Sequence, residues 1–370
     1  MNKRSIILLL FVFAAGFSLS HFEIFPFSKK ATSDEEIAPV NSEQTTPFYD
    51  YTKIELDEII SVSPENASAI RSKTTHIIFG TPQLPSGVPD SVYSITDTLY
   101  NDISNLKSIE QYKVIQNYNI HSVGYIFHPR EENHRLFIYH QGHNGDFLLG
   151  KHVIEFFVNK GFTVYAFCMP LLGKNNEPVV TVDKIGTFKL KTGKGGHELM
   201  KFLDHPISFF VTPVLTMINY AQSYNYKDIT MCGISGGGWT TTLVSALDTR
   251  INNSFPVAGT YPMYIKLNAP PKSYGDFEQV YPPLYRQVGY LDMYILGATG
   301  KDRFQVQILN LHDPCCFDGR YSEHYEPFVQ ERVKEFEGGS FEVISDTVNQ
   351  EHRISEFSME KIYEKLIQVN

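Results

Sequence analysis

The chain has 370 residues, a hydrophobic fraction of 42% and a formal net charge of -9. That is chain enough for one α/β unit and apolar material enough for a sizeable core. The acidic balance, with no basic cluster to offset it, argues against nucleic acid or an anionic membrane surface as the main partner.

Lys3 and Arg4 precede an apolar run from Ile6 to Phe17, and Ser18-Leu19-Ser20 follows it. A positive start, a short apolar stretch and small residues make the three-part pattern of a secretory signal. The run is 12 residues long, whereas a helix crossing a bilayer takes roughly 20. Residues 1–20 are therefore expected to be a signal peptide cleaved near Ser20, with an uncleaved membrane anchor as the alternative. Either places the protein outside the cytoplasm, periplasmic, secreted or tethered facing outward. Lys29 to Phe48 is rich in Ser, Thr, Glu and Pro, so 21–48 reads as a flexible linker. The domain is expected over 49–370, with 49–110 as an N-terminal extension.

Ile54 to Lys113 mixes short helical and turn patterns and carries little signal. Tyr112 to Tyr118 and Ser122 to His128 read as strands joined by Asn119-Ile120-His121, and Arg135 to His140 as a further, strongly apolar strand. Asp146 to Asn159 has helical spacing of Phe147, Leu148, Val153, Phe156 and Phe157. Gly161 ends it before a strand from Phe162 to Cys168. A loop is expected from Met169 to Gly196, then a helix opened by Pro206 and running to about Tyr224. Asp228 to Cys232 is a strand, Trp239 to Leu247 a helix and Asn253 to Ala258 a strand. Tyr261 to Gly300 reads as irregular and aromatic. Phe304 to Leu311 and Phe341 to Ser345 are strands, and Ser322 to Phe336 and Ser355 to Gln368 are helices. Strands alternating with helices predict a mostly parallel sheet covered on both faces. Such sheets carry their sites at the carboxyl ends of the strands. Four polar clusters fall at those ends: His140 to Asp146, Ser235, Asp313 and the loop with His352.

Among four cysteines, too few for a disulfide scaffold, Cys168 and Cys232 lie in apolar strand patterns and read as buried thiols. Cys315 and Cys316 are adjacent, and the sequence leaves their pairing open.

Gly233-Ile234-Ser235-Gly236-Gly237 joins a strand to a helix. A serine on so tight a turn needs an unusual backbone angle, small neighbours keep strand and helix from clashing, and the hydroxyl then stands exposed at the sheet edge. An anion-binding helix start is the competing reading, but no lysine follows in a phosphate-loop arrangement. The segment from Ile229 to Trp239 resembles the nucleophile elbow of the α/β-hydrolase superfamily, and the alternation of elements from about Tyr112 onward is similar to that fold. The nearest resemblance is to the acetyl xylan esterase, dienelactone hydrolase and prolyl oligopeptidase-like groups.

The resemblance implies a serine hydrolase with the chain order nucleophile, acid, base. Ser235 is then the nucleophile. His352, after the last strand, is the expected base, and Asp313, after the strand corresponding to the superfamily's seventh, is the expected acid, with Asp318 and Asp346 as its rivals. Oxyanion donors are expected from the backbone of Gly236 and from the loop Tyr139-His140-Gln141-Gly142-His143-Asn144-Gly145. That loop resembles the family's His-Gly loop but carries an inserted Gln141. Its donor is Gly142 or His143, with His143 preferred. His140 and His143 are three apart, as some metal ligands are, but no further ligand is evident in sequence, so neither a metal nor another cofactor is expected.

Tyr261, Tyr264, Tyr274, Phe277, Tyr281, Tyr285, Tyr290 and Tyr294 crowd the segment after the sixth strand of the superfamily pattern. In the superfamily such insertions form lids or acyl pockets, so 260–300 is expected as lid-like; simple packing is an equal reading. The stretch before Tyr112 is too short for the propeller of a true oligopeptidase. The expected activity is hydrolysis of a small-molecule or carbohydrate ester. A serine peptidase and a non-catalytic binding protein on the same fold are the alternatives.

Overall fold

In the computed structural model of the chain the described residues are 54–192, 197–268 and 275–368. The expected signal or anchor (1–20) and linker (21–48) lie outside them. The stretch that carried least sequence signal holds two helices, α1 (Leu56–Ile59) and α2 (Ala67–Phe79). Its polar residues bind it to the body of the domain. Asp292 Oδ1 accepts the N–H groups of Ser61 and Val62 at 2.7 and 3.0 Å. Arg71 donates to the carbonyls of Ala246 and Leu296 at 3.0 and 2.9 Å.

Three antiparallel strands follow: β1 (Ser91–Ile95), β2 (Leu106–Gln116) and β3 (Ile120–Pro129). Tyr118 and Asn119 both have positive φ, 58° and 56°. Consecutive left-handed residues match the right-handed twist of a hairpin, so the turn falls at 117–119, earlier than the 119–121 read from sequence. Then come β4 (Leu136–His140), α3 (Lys151–Asn159) and β5 (Thr163–Phe167). The expected loop after β5 contains a separate hairpin, β6 (Val179–Val182) with β7 (Gly186–Lys189). Helix α4 (Ser208–Ala221) starts two residues beyond Pro206 and carries Pro213 inside it. The remaining elements are β8 (Ile229–Ile234), α5 (Gly236–Leu247), β9 (Asn253–Val257), α6 (Met263–Asn268), α7 (Pro282–Tyr285), α8 (Tyr290–Ala298), β10 (Phe304–Asn310), α9 (Glu326–Lys334), β11 (Ser340–Asp346) and α10 (Glu356–Gln368).

The main sheet has the strand order β1-β2-β3-β5-β4-β8-β9-β10-β11. Pairing is antiparallel as far as β3–β5 and parallel from there on. Every residue of β4, β5, β8, β9 and β10 is buried, as expected for strands covered on both faces.

Helix α5 is buried along its whole length and packs on β8, β9 and α8. Helix α8 is likewise wholly buried, which corrects the expectation of irregular structure from Tyr261 to Gly300. A helix with no polar face has no amphipathic period to read. Arg303 seals the base of this layer. Its guanidinium is buried, and it donates to the carbonyls of Ser245, Ile251, Leu296 and Thr299 at 2.6 to 3.1 Å. A buried charge is tolerable because four of its five N–H groups are bonded.

Register decides where the site lies. His140 pairs with Gly233, Ile234 with Val257, and Asn310 with Asp346. The carboxyl ends of β4, β8, β9, β10 and β11 therefore form one edge.

Candidate active site

At that edge β8 turns directly into α5 through Ser235, whose φ of 57° and ψ of -119° no ordinary side chain favours. The turn is held on both sides: the Ser235 N–H donates to Val257 O and its carbonyl accepts from the Trp239 N–H, both at 2.9 Å. Glycine is required where other loops press on it. A Cβ on Gly237 would lie 2.1 Å from the His140 carbonyl oxygen. A Cβ on Gly142 would lie 2.7 Å from Ile234 O and 2.8 Å from Ser235 Cβ. The Gly142 backbone thus lies directly against the elbow.

Asp313 follows β10 and is buried. Its Oδ1 accepts the N–H groups of Cys315 and Cys316 at 2.7 and 3.1 Å; those two cysteines are bridged to each other, while Cys168 and Cys232 are buried free thiols. Its Oδ2 meets His352 Nδ1 at 2.7 Å. Burial would raise the Asp313 pKa, but the His352 bond and charge and the two backbone N–H groups outweigh it and hold the carboxyl below its usual range. An ionised carboxylate only accepts, so Nδ1 carries the proton and Nε2 is left as an acceptor. The rival acids are engaged elsewhere. Asp318 pairs with Arg320. Asp346 accepts the N–H groups of Val348 and Asn349 and bonds Ser355 and Ser358.

The His352 loop is clamped from below. Asn310 Nδ2 donates to the carbonyls of Glu351 and Arg353, both at 3.1 Å, and Asn349 Nδ2 reaches the same two carbonyls. His352 Nε2 has no hydrogen-bond partner among the described residues. It and Ser235 line one cavity of about 210 Å³ together with Tyr139, Gln141, Gly142, Asn144, Leu149, His152, Val153, Ile234, Arg353 and Ile354.

The two histidines of the β4 loop diverge. His140 is buried, stacks on Phe167 and bonds the Gln141 carbonyl through Nδ1. Burial drives its pKa down to about 4. His143 lays its ring on Gly236, where a Cβ would meet its Cε1 at 2.4 Å. Its Nε2 points away to Glu278 Oε1 at 2.8 Å. His197, Asp276 and Glu278 join it in a second polar cluster. Sequence reading found no partner for His143. Two of the three lie in stretches without periodicity, and Glu278 is 135 residues from His143. The acidic pair Asp276 and Glu278, two apart in an aromatic stretch, was the one available hint.

The aromatic segment does not line the Ser235 cavity among its described members; Tyr274 lies outside the described residues. Trp239 Nε1 donates to Tyr285 OH, Tyr285 OH to Tyr290 OH, and Tyr290 OH to the Gln279 carbonyl, at 2.7 to 2.8 Å. Tyr285 and Tyr290 also line, with Tyr264, a separate cavity of about 400 Å³.

Solved structures superpose on this mostly parallel sheet and its covering helices. The chain has the α/β-hydrolase fold. Methylesterase BT1017 superposes with a TM-score of 0.60 at 15% identity, over 85% of this chain and 66% of that one. Acetyl xylan esterase from Paenibacillus sp. R4 gives 0.56 at 13% identity, over 85% and 98%. Acetyl xylan esterase 1 from Thermoanaerobacterium sp. JW/SL YS485 gives 0.51 at 13%, over 85% and 97%. No protein-family model and no curated protein matches the chain by sequence. At these identities the likeness is one of α/β-hydrolase architecture.

Proposed function

We propose that the protein is an exported carboxylic-ester hydrolase that works through an acyl-enzyme on Ser235. The observation that carries this reading is the unpartnered Nε2 of His352, oriented by Asp313 through Nδ1, in the same cavity as Ser235. Ser235 Oγ attacks the ester carbonyl as His352 Nε2 takes its proton. The proton passes to the departing alcohol, and water then repeats the sequence to release the acid. No hydrogen bond joins Ser235 to His352 in the described structure, and such bonds tighten on substrate binding. The Gly236 N–H and the amides of the β4 loop receive the oxyanion. Of the two expected loop donors, Gly142 and His143, Gly142 lines the Ser235 cavity, and the loop N–H is assigned to it here.

The cavity is smaller than the range of about 300–1,000 Å³ that encloses drug-sized ligands. That favours a short acyl group, with the alcohol, small molecule or carbohydrate, reaching outward. Esterases among the structural neighbours agree with ester chemistry. Export rests on the signal-like pattern of residues 1–20. A fluorophosphonate probe tests the mechanism: label is expected on Ser235, and folded protein that takes up none there refutes it.

A further inference from the structure

Four side chains from three excursions of the chain converge beside the elbow. His143 comes from the loop after β4, His197 from the long connection between β5 and α4, and Asp276 and Glu278 from the connection between β9 and α8. His143 Nε2 lies 2.8 Å from Glu278 Oε1 and 3.4 Å from Asp276 Oδ2. His197 Nδ1 lies 3.4 Å from Asp276 Oδ2 and 3.8 Å from Glu278 Oε2. One ligand-type atom from each of the four residues lies within 4.8 Å of all the others.

Two features go beyond proximity. His197 is 1% exposed and its Nε2 meets the Pro170 carbonyl at 2.7 Å. That carbonyl can only accept, so Nε2 carries a proton and Nδ1 is the nitrogen that faces the carboxylates. A histidine ligand whose other nitrogen is held by a backbone carbonyl is the usual supporting arrangement around a metal. Second, His197 Nδ1 and Glu278 Oε2 are buried atoms without a hydrogen bond among the described residues. A buried imidazole nitrogen and a buried carboxylate oxygen that stand 3.8 Å apart without a hydrogen bond are costly unless something bridges them.

We propose that His143, His197, Asp276 and Glu278 form a structural site for one divalent cation, of which Zn2+ fits best. Four ligands at about 2.0–2.1 Å in a tetrahedron stand about 3.4 Å apart, and the four distances above scatter around that value. Two imidazoles and two carboxylates suit Zn2+ among the common divalent ions. Two neutral imidazoles, two carboxylates and a divalent ion sum to no net charge, which is what burial demands. With four protein ligands the site is closed, and closed sites hold structure rather than perform chemistry. Its position gives it a task. The ion would pin the ring of His143 on Gly236 and join the loop after β4 to two other excursions.

This inference stands whether or not Ser235 hydrolyses esters, and its test reads no turnover. The full chain, made without a histidine tag and purified without chelator, is assayed for metal by mass spectrometry. About one Zn2+ per chain is expected. The stripped protein is then titrated with Zn2+ by calorimetry and thermal unfolding. Saturating Zn2+ should raise the unfolding midpoint by roughly 5 °C or more, and Co2+ should give the strong visible absorption of a tetrahedral site. Asp276→Asn, at the more exposed edge of the cluster, should fold and weaken Zn2+ by roughly 100-fold or more, beyond the cost of losing an outer partner. Glu278→Gln should do the same where it folds; the wild-type titration depends on no variant. Folded wild-type protein that retains no ion and shows no Zn2+-dependent shift overturns the proposal and leaves a proton-sharing group of ion pairs. Binding that Asp276→Asn leaves unchanged overturns it too, since the ion then sits elsewhere.

Discussion

Gly142 and His143 are neighbours in one loop, yet they belong to two polar clusters that are finished in different ways. Gly142 borders the cavity of Ser235 and His352, where the imidazole has one nitrogen fixed by Asp313 and the other without a partner. His143 belongs to the cluster with His197, Asp276 and Glu278, where two of the four residues are almost wholly buried. An unused lone pair beside a cavity suits a reactant that comes and goes. Unused ligand atoms facing one another in a half-buried cluster suit an occupant that stays. The difference lies in access, because both clusters use imidazole and carboxylate.

Substitutions should therefore separate by what they damage. Ser235→Ala is expected to cut ester turnover by roughly 10⁵-fold or more while leaving the thermal midpoint near wild type; short-chain ester assays and a melting curve decide it. Retained turnover would move the chemistry out of the open cluster. Asp313→Asn should lower kcat by roughly 10⁴-fold, because an amide lets the imidazole take the wrong tautomer. A fall in KM-controlled binding alone would deny Asp313 its orienting role.

His140, at the buried root of the same loop, separates stability from chemistry by pH. Burial lowers its pKa from 6.5 to about 4. Between those values the unfolded chain binds a proton that the folded chain refuses, so stability falls as pH falls through this window. The contribution amounts to about 3 kcal/mol at most. Urea unfolding at the two ends of the window should show a shallower pH slope in His140→Gln than in wild type; equal slopes would place the titration elsewhere. The smallest expected effect is on the joint between the clusters. Gly142→Ala puts a Cβ against Ile234 O and Ser235 Cβ, and the resulting displacement of the loop should cost about 10²-fold in kcat/KM. Unchanged kinetics would mean that the loop backbone takes no part in holding the oxyanion.

Much of the Ser235 site was legible in the chain because its parts are local. A strand, a glycine-rich turn and a helix are contiguous from Ile229 to Leu247. Asp313 and His352 each follow a strand, and the register that aligns strand ends brings them to 2.7 Å. Helix α8 was missed because burial on every side erases the polar face that marks a helix. The β6–β7 hairpin was missed because its strands are four residues each and largely solvated. Asn310 and Asn349 carry no signature as clamps, since their partners are backbone carbonyls that any sequence supplies.

The chain alone determined the α/β alternation, the serine turn and the order of serine, acid and histidine, because periodicity and tight turns are properties of adjacent residues. Only the tertiary structure decided which acid meets His352, that Tyr285 and Tyr290 join Trp239 in one hydrogen-bonded chain, and that His143 faces Glu278 rather than His140. Those outcomes depend on how distant excursions fold over one sheet edge, and no spacing along the chain encodes the distance between them.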